Sequence, residues 1–272
     1  MRVISYGGGV QSTALLVLAV QGKLGHIDAA AFSNVGDDSE NPATLRYVEK
    51  FSGPFGARGG VPIVVLHRVK RNGQSETLRG RLRAAAANHK VENYVIPLRG
   101  DDGAPLFRRN CTVDFKVRVV ERWLREQGVS KKNKAETLIG FSLDEAIRVG
   151  NGGGSKISTP AYPLIDMRLT RDDCKRIITD VGLPLPPKSS CFFCPYKRPS
   201  EWRRMRESEP ELFEQAAVIE DEMNSLRIAK GRGLIWLTKF NGPLRDVIDT
   251  SQQNLDFGTG PGETCDEGYC WT

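Results

Sequence analysis

At 272 residues, with 39% hydrophobic and 26% charged side chains, the chain can bury a full core as one large domain, or one domain with a smaller appendage. That composition excludes a disordered polymer, and no apolar run approaches the ~20 residues of a membrane span. The formal charge is +6, yet residues 251–272 hold Asp256, Glu263, Asp266 and Glu267 and no Lys or Arg, so the rest of the chain stands at +10. Such a basic body either suits a polyanionic ligand, a nucleotide or a nucleic acid, or is simply a solvated surface. The N-terminus runs straight into a strand-like segment without the charged and apolar regions of a signal peptide, which predicts a cytoplasmic protein.

In chain order, strand-like runs at Arg2 to Tyr6, Ala29 to Ser33, Val61 to His67 and Thr137 to Phe141 alternate with helical patterns. The helices are expected at Ser12 to Gln21, Asn41 to Phe51, Ser75 to Asn88 and Thr112 to Gln127. This alternation predicts βαβ units: an α/β fold with an open parallel sheet and helices on both faces. A further helix from about Thr170 to Val181 opens on Thr170-Arg171-Asp172-Asp173, a capping-box spacing with Asp in the place of Glu or Gln. Pro184, Pro186 and Pro187 then break the chain, and a second helical block runs from about Glu201 to Ala229. The expected organisation is an α/β domain over residues 1–195, a helical extension over 196–249 and a flexible acidic tail over 250–272. Gly150 to Gly154 reads as a mobile loop, and there is no repeat with a period of 20 to 50 residues.

The first strand runs into Ser5-Tyr6-Gly7-Gly8-Gly9-Val10-Gln11-Ser12-Thr13. A strand, a glycine-rich turn and a helix start form a phosphate cradle, because glycines let the backbone approach the anion and the free N–H groups of the helix point at it. The same turn can also be purely structural. It has neither the Gly-Lys-Ser/Thr of a Walker loop nor the dinucleotide spacing G-x-G-x-x-G.

What the stretch resembles is the PP-loop, S-G-G-x-D-S, of the adenine nucleotide alpha-hydrolase superfamily, written here as Gly8-Gly9-Val10-Gln11-Ser12. The downstream blocks resemble those of the phosphoadenylyl-sulfate (PAPS) reductase family. They are Asn34-Val35-Gly36-Asp37-Asp38-Ser39-Glu40-Asn41-Pro42-Ala43-Thr44, then Arg108-Arg109-Asn110-Cys111-Thr112 through Lys116. Gly140-Phe141-Ser142-Leu143-Asp144-Glu145 with Arg148 follows, and then Tyr162 to Asp166 and Cys191-Phe192-Phe193-Cys194. These blocks keep family order across residues 5 to 195; the region from 196 onward is much less covered.

The resemblance implies a PP-loop fold and an adenine nucleotide, ATP or the sulfonucleotides PAPS or APS, held by Ser5, Gly7, Gly8, Gly9, Gln11, Ser12 and Gly140. Arg108, Arg109 and Lys116 would lie near the C-terminal edge of the sheet and hold phosphate or sulfate, or form a solvated cluster at a helix start. Asp37 and Glu40 would take a ribose hydroxyl or Mg²⁺, or cap a helix. Arg148 would clamp a phosphate, or pair with Asp144 at the surface.

Cys191-x-x-Cys194, framed by Pro187 and Pro195, reads as a loop-borne metal pair, because no helix begins at the motif as in thioredoxin-type redox pairs. The only histidines are His26, His67 and His89, none near a cysteine in sequence, so tetrahedral zinc lacks obvious partners. A [4Fe-4S] cluster on Cys111, Cys191 and Cys194 is the first choice, with zinc as the alternative. Cys174 lies among Ile177 and Ile178 and is expected to be a buried small hydrophobe. Cys265 and Cys270, on the acidic tail, are the candidate catalytic thiols: PAPS reductases carry a catalytic cysteine near the C-terminus, a pattern that Glu263-Thr264-Cys265 approximates. A disordered end with incidental cysteines is the alternative.

Three functions follow from this reading. In the first, a tail thiolate attacks the sulfur of PAPS or APS, and a thioredoxin-like reductant releases sulfite. In the second, ATP is split between its α and β phosphates to adenylate an acceptor that is then thiolated. In the third, the protein is a nucleotide-binding accessory of a nucleic-acid-handling or defence system. Gln11 stands where ATP-cleaving relatives carry Asp, which favours the first. Aromatic and basic residues recur at Trp202 to Arg206 and Arg227 to Trp236; nucleic-acid contact is one reading and core packing the default. A homodimer stays open, and no membrane association is expected.

Overall fold

The computed structural model describes residues 1–88, 94–100, 106–107, 109–149 and 154–248. Five parallel strands form one open sheet in the order β3-β2-β1-β4-β5. They are β1 (Arg2–Tyr6), β2 (Ala29–Asn34), β3 (Ile63–His67), β4 (Ala135–Ile139) and β5 (Ser158–Ala161). β1 lies in the centre, with Ser5 opposite Ala31 of β2 on one side and Ile139 of β4 on the other. The chain moves outward from β1 in one direction through β2 and β3, then returns to add β4 and β5 on the other side. The strand order therefore reverses between β1 and β4, the position at which open α/β sheets form a ligand crevice.

Alternation along the central strands assigns the two faces. Ile4, Tyr6, Ala30, Phe32 and Leu138 pack against α1 (Val10–Val20) and α7 (Arg171–Thr179), with α3 (Gly53–Arg58) alongside. Val3, Ala31 and Ala135 pack against Val120 and Leu124 of α5 (Arg118–Glu126). Both faces are thus covered by helices, as parallel sheets require. α1 is buried from Val10 through Ala19, which explains its apolar composition on every side.

A third cluster lies beside the sheet. It joins α4 (Leu78–Asn88) and the segment Tyr94 to Leu98 to α8 (Pro199–Ser208), α9 (Pro210–Ile228) and α10 (Leu244–Val247). Trp202, Phe213 and Trp236 are buried in this part of the molecule, as the default reading of the aromatic residues expects.

Several boundaries differ from the sequence expectation, each for a local reason. The helix expected from Asn41 to Phe51 is α2 (Pro42–Tyr47) followed by one wide π-type turn, Val48–Ser52, just before Pro54, which cannot donate to the ladder. α4 begins at Leu78 rather than Ser75, because Ser75 bridges Val69 and the Glu76 N–H donates to the Arg68 carbonyl. The helix expected from Thr112 opens with another wide turn, Val113–Val117, where the carbonyls of Asp114 and Phe115 accept from Arg68 and Ser33 at 2.6 Å each. Pro210 splits the block expected from Glu201 to Ala229 by removing Glu209 from helical geometry. β5 went unanticipated: four residues with an internal proline suit only a sheet edge. A short α6 (Pro163–Asp166) precedes α7. Gly150 to Gly153 and the tail from residue 249 lie outside the described residues. No helix among the described residues is long and apolar enough to cross a membrane.

Candidate functional site at the strand-order reversal

The loops after β1 and β4 meet where the strand order reverses. Of the three loop glycines, Gly8 alone has a left-handed backbone, φ +74°, and a Cβ there would stand 2.8 Å from Thr44 Cγ2. Gly9 caps α1, and the Ser12 hydroxyl accepts from the Gly9 N–H at 3.2 Å and donates to the Gly9 carbonyl at 3.1 Å. Gly140 lets β4 end directly beneath the helix start: its Cβ would lie 3.0 Å from both Gln11 C and Ser12 N. Ser5, in the strand itself, is buried, and its hydroxyl has no partner among the described residues.

Gln11 is held on both sides. Its Nε2 donates to Glu145 Oε2 at 3.1 Å, and its Oε1 accepts from the Arg171 guanidinium at 3.1 Å. Glu145 also pairs with Arg148 at 2.9 Å, and the Arg148 side chain is only 7% exposed. Burial pushes the Glu145 carboxyl above its ordinary value, and the attraction of Arg148 opposes that shift. The surface pair of Arg148 with Asp144 is therefore corrected: Arg148 is buried on Glu145, and Asp144 instead accepts the Arg171 N–H at 2.7 Å. The site has a carboxylate after all, one residue beyond Asp144, supplied by the loop after β4.

The segment after β2 forms the next wall. Asn34 accepts the Gly36 N–H at 2.9 Å and donates to Asp37 at 2.7 Å. The helix-capping alternative for Asp37 and Glu40 is corrected, because Asn41 caps α2 by accepting the Ala43 N–H at 2.8 Å. Glu40 is buried and pairs through its backbone with Cys191 in an antiparallel bridge.

That bridge brings the cysteine loop to the site. The Ser189 hydroxyl donates to the Gly7 carbonyl, and the Phe192 N–H donates to the Ser39 carbonyl at 3.2 Å. Immediately beyond Ser189, one pocket is lined by Arg109, Cys111, Lys116, Ser190, Cys191 and Cys194, among others. The Ser190 hydroxyl is buried with no hydrogen-bond partner among the described residues, and the Arg109 guanidinium lies 5.3 Å from the centre of the Tyr196 ring. Three thiols and two cations from separate parts of the sequence thus share a pocket one residue away from the glycine loop. As they stand, no three His, Cys, Asp or Glu side chains among the described residues are grouped as a metal site. Cys174 is fully buried, and burial pushes its thiol up to about 12, so it behaves as a hydrophobe.

Sequence reasoning did not select Glu145, Arg171, Ser189 or Ser190 as site residues. Arg171 carried a signal only as part of the Thr170 cap, which forms as expected with the Asp173 N–H donating to Thr170 Oγ1 at 3.2 Å. Ser189 and Ser190 carried only their adjacency to Cys191. Arg108, Cys265 and Cys270 lie outside the described residues. No model of a known protein family matches this chain, and no curated protein matches it.

Proposed function

We propose that the protein is a PP-loop enzyme similar to the PAPS reductases, which binds an adenine nucleotide at the strand-order reversal and carries out sulfur chemistry beside it. The observation that carries this reading is the Ser189–Cys194 loop. Its first residue is bonded to the phosphate-type loop at Gly7, and its cysteines share a pocket with Arg109 and Lys116. Phosphate oxygens would meet the N–H groups at the start of α1, and the sulfate of a sulfonucleotide would extend toward the two cations.

In the first form of the reaction the substrate is a sulfonucleotide. A tail thiolate, Cys265 or Cys270, attacks the sulfur, the S–O bond to the phosphate breaks, and the nucleotide leaves with that electron pair. The enzyme then carries Cys–S–SO₃⁻. A dithiol of the thioredoxin class attacks the cysteine sulfur, sulfite leaves, and the resulting mixed disulfide is resolved by the second thiol of the partner. Arg109 and Lys116 would neutralise the sulfate while water is excluded by the apolar part of the pocket.

Glu145 favours a second form. Its carboxylate, hydrogen-bonded to Gln11 and paired with Arg148, puts an acidic oxygen beside position 11, and a Mg²⁺ at the pyrophosphate of ATP would share that charge with Arg148. ATP would then adenylate an acceptor oxygen with release of pyrophosphate, and a sulfur nucleophile would displace AMP. Cys111, Cys191 and Cys194 have the donor chemistry for a [4Fe-4S] cluster or zinc, and a cluster bound there would supply iron as an acceptor site for sulfur.

The test pairs two assays on anaerobically purified full-length protein. Sulfite release from PAPS or APS with thioredoxin, lost in Cys265→Ser or Cys270→Ser, is the outcome expected of the first form. AMP and pyrophosphate from ATP with a supplied acceptor is the outcome expected of the second. Binding of no adenine nucleotide by calorimetry would sink both. Metal analysis and visible absorbance, lost in Cys191→Ala, report on the cluster separately.

A further inference from the structure

Pro195 and Tyr196 line the thiol pocket on one side and a second cleft on the other. That cleft brings together Arg99, Lys197, Arg198 and Lys239, and no acidic side chain lines it among the described residues. The cations come from three stretches of chain. Arg99 is fixed beside the 238–240 segment by paired backbone hydrogen bonds with Trp236, 3.0 and 2.8 Å long. Lys197 and Arg198 precede α8, whose ten residues start at Pro199 on the cleft wall, so the positive end of the helix dipole adds to the four side chains. The acidic residue of that first turn, Glu201, is engaged by Lys188 at 2.6 Å and by the Arg198 N–H at 2.8 Å.

Two features besides charge point to a ligand. The Trp202 side chain lines the cleft, is 1% exposed, and its indole N–H has no acceptor among the described residues. A buried unpaired donor is costly, and an oxyanion arriving between it and Lys197, whose Nζ stands 5.8 Å from the Trp202 ring centre, would satisfy it. Phe240 is a large apolar side chain left 37% exposed on the rim, with Lys239 Nζ 5.9 Å from its ring centre. Cations beside an exposed aromatic face are what an unpaired nucleobase and its phosphate require; a duplex hides its base faces and would leave the ring unused.

We propose that this cleft binds the backbone of a single-stranded nucleic acid, with phosphate oxygens among Arg99, Lys197, Arg198 and Lys239 and a base against Phe240. The assignment stands apart from the nucleotide site and does not depend on which reaction occurs there. Because Pro195 and Tyr196 belong to both clefts, it would bring a polynucleotide to the edge of the thiol pocket. A single-stranded acceptor for the second form of the reaction is the consequence.

The experiment is fluorescence anisotropy of the full chain with labelled mixed-sequence RNA and DNA strands of roughly 12 nucleotides. The double variant Lys197→Ala with Lys239→Ala should weaken binding by about tenfold or more and lower the salt slope by about 1.4, the value for two phosphate contacts on a single strand. Phe240→Ala should weaken oligonucleotide binding by about fivefold or more through lost stacking, and leave inorganic polyphosphate binding unchanged. Unchanged thermal unfolding of these surface variants shows that they are folded. Absence of oligonucleotide binding at low salt, or equal binding by the double variant, overturns the proposal. Equal loss of polyphosphate in Phe240→Ala also overturns it, by reducing the cleft to a site for any polyanion. So does a cross-link from Lys197 or Lys239 to the carboxylates of residues 251–272 that saturating oligonucleotide fails to displace, because the acidic tail would then be the occupant.

Discussion

Position 11 shows how much a single side chain depends on its surroundings. By type, an amide at position 11 argues against metal-assisted ATP cleavage, yet Gln11 is held between Glu145 and Arg171, so a carboxylate stands beside it. Glu145→Gln should therefore act in two ways. It removes the Glu145 charge from the Arg148 guanidinium, 7% exposed, which should cost roughly 1–3 kcal/mol in urea unfolding. It should also weaken binding of Mg-ATP more than binding of a sulfonucleotide without Mg²⁺; an equal loss of affinity for the two would remove the case for the second form. The cysteines permit a separate check. Cys111 and Cys191 are partly exposed, whereas Cys174 is fully buried with its thiol pushed up to about 12. Alkylation of the folded, metal-free protein near pH 8, mapped by mass spectrometry, should modify Cys111 and Cys191 and spare Cys174 until the chain unfolds.

Among the elements, the turn between β1 and α1 is tightly constrained at Gly8. Gly8→Ala forces a left-handed backbone on a side chain that would also stand 2.8 Å from Thr44 Cγ2, so it should cost about 1–3 kcal/mol and displace the start of α1 from any bound phosphate. Gly7→Ala is the control, since its Cβ would meet nothing closer than Ser189 Oγ at 3.9 Å. Unfolding midpoints should separate the two; equal effects would mean that the loop is not built around Gly8. The existence and order of β1 to β4 and of the main helices was legible, because strand alternation and helical periodicity are local properties of the chain. Their ends were not. The carbonyls of Asp114 and Phe115 are captured by Arg68 and Ser33, distant in sequence, and β5 owes its place to pairing with β4 rather than to any strand pattern of its own.

For the molecule as a whole, two carboxyls, one part-buried and one buried, set opposite pH dependences. Burial raises the Glu76 carboxyl, but hydrogen bonds and charge from Arg81 and Arg68 outweigh it and hold the group at about 2, below its ordinary 4.5. Its contribution is thus present above pH 4.5 and lost as pH falls through that value toward 2. Glu220, buried in α9, is pushed up to about 7 by burial, against the lowering effect of N–H donors from Leu237 and Leu244 at 2.6 and 2.7 Å. Its contribution is fully present below pH 4.5 and is lost as pH rises through about 7. Denaturant unfolding across this range should show both limbs. Glu76→Gln should flatten the acid limb alone, and a curve unchanged by that substitution would show that the Arg68, Glu76 and Arg81 cluster contributes nothing to folding.

From the sequence alone came the parallel α/β architecture, the glycine turn ahead of the first helix, the Thr170 cap and the burial of Cys174. Each rests on short-range rules: apolar spacing, backbone freedom at glycine, and the reach of a side chain to the next turn. The meeting of Gly7 with Ser189, the carboxylate of Glu145 on Gln11 and the cationic cleft beyond Tyr196 were decided by the tertiary structure. Residues up to 182 positions apart make these contacts, and no local periodicity records which loops a strand-order reversal will bring face to face.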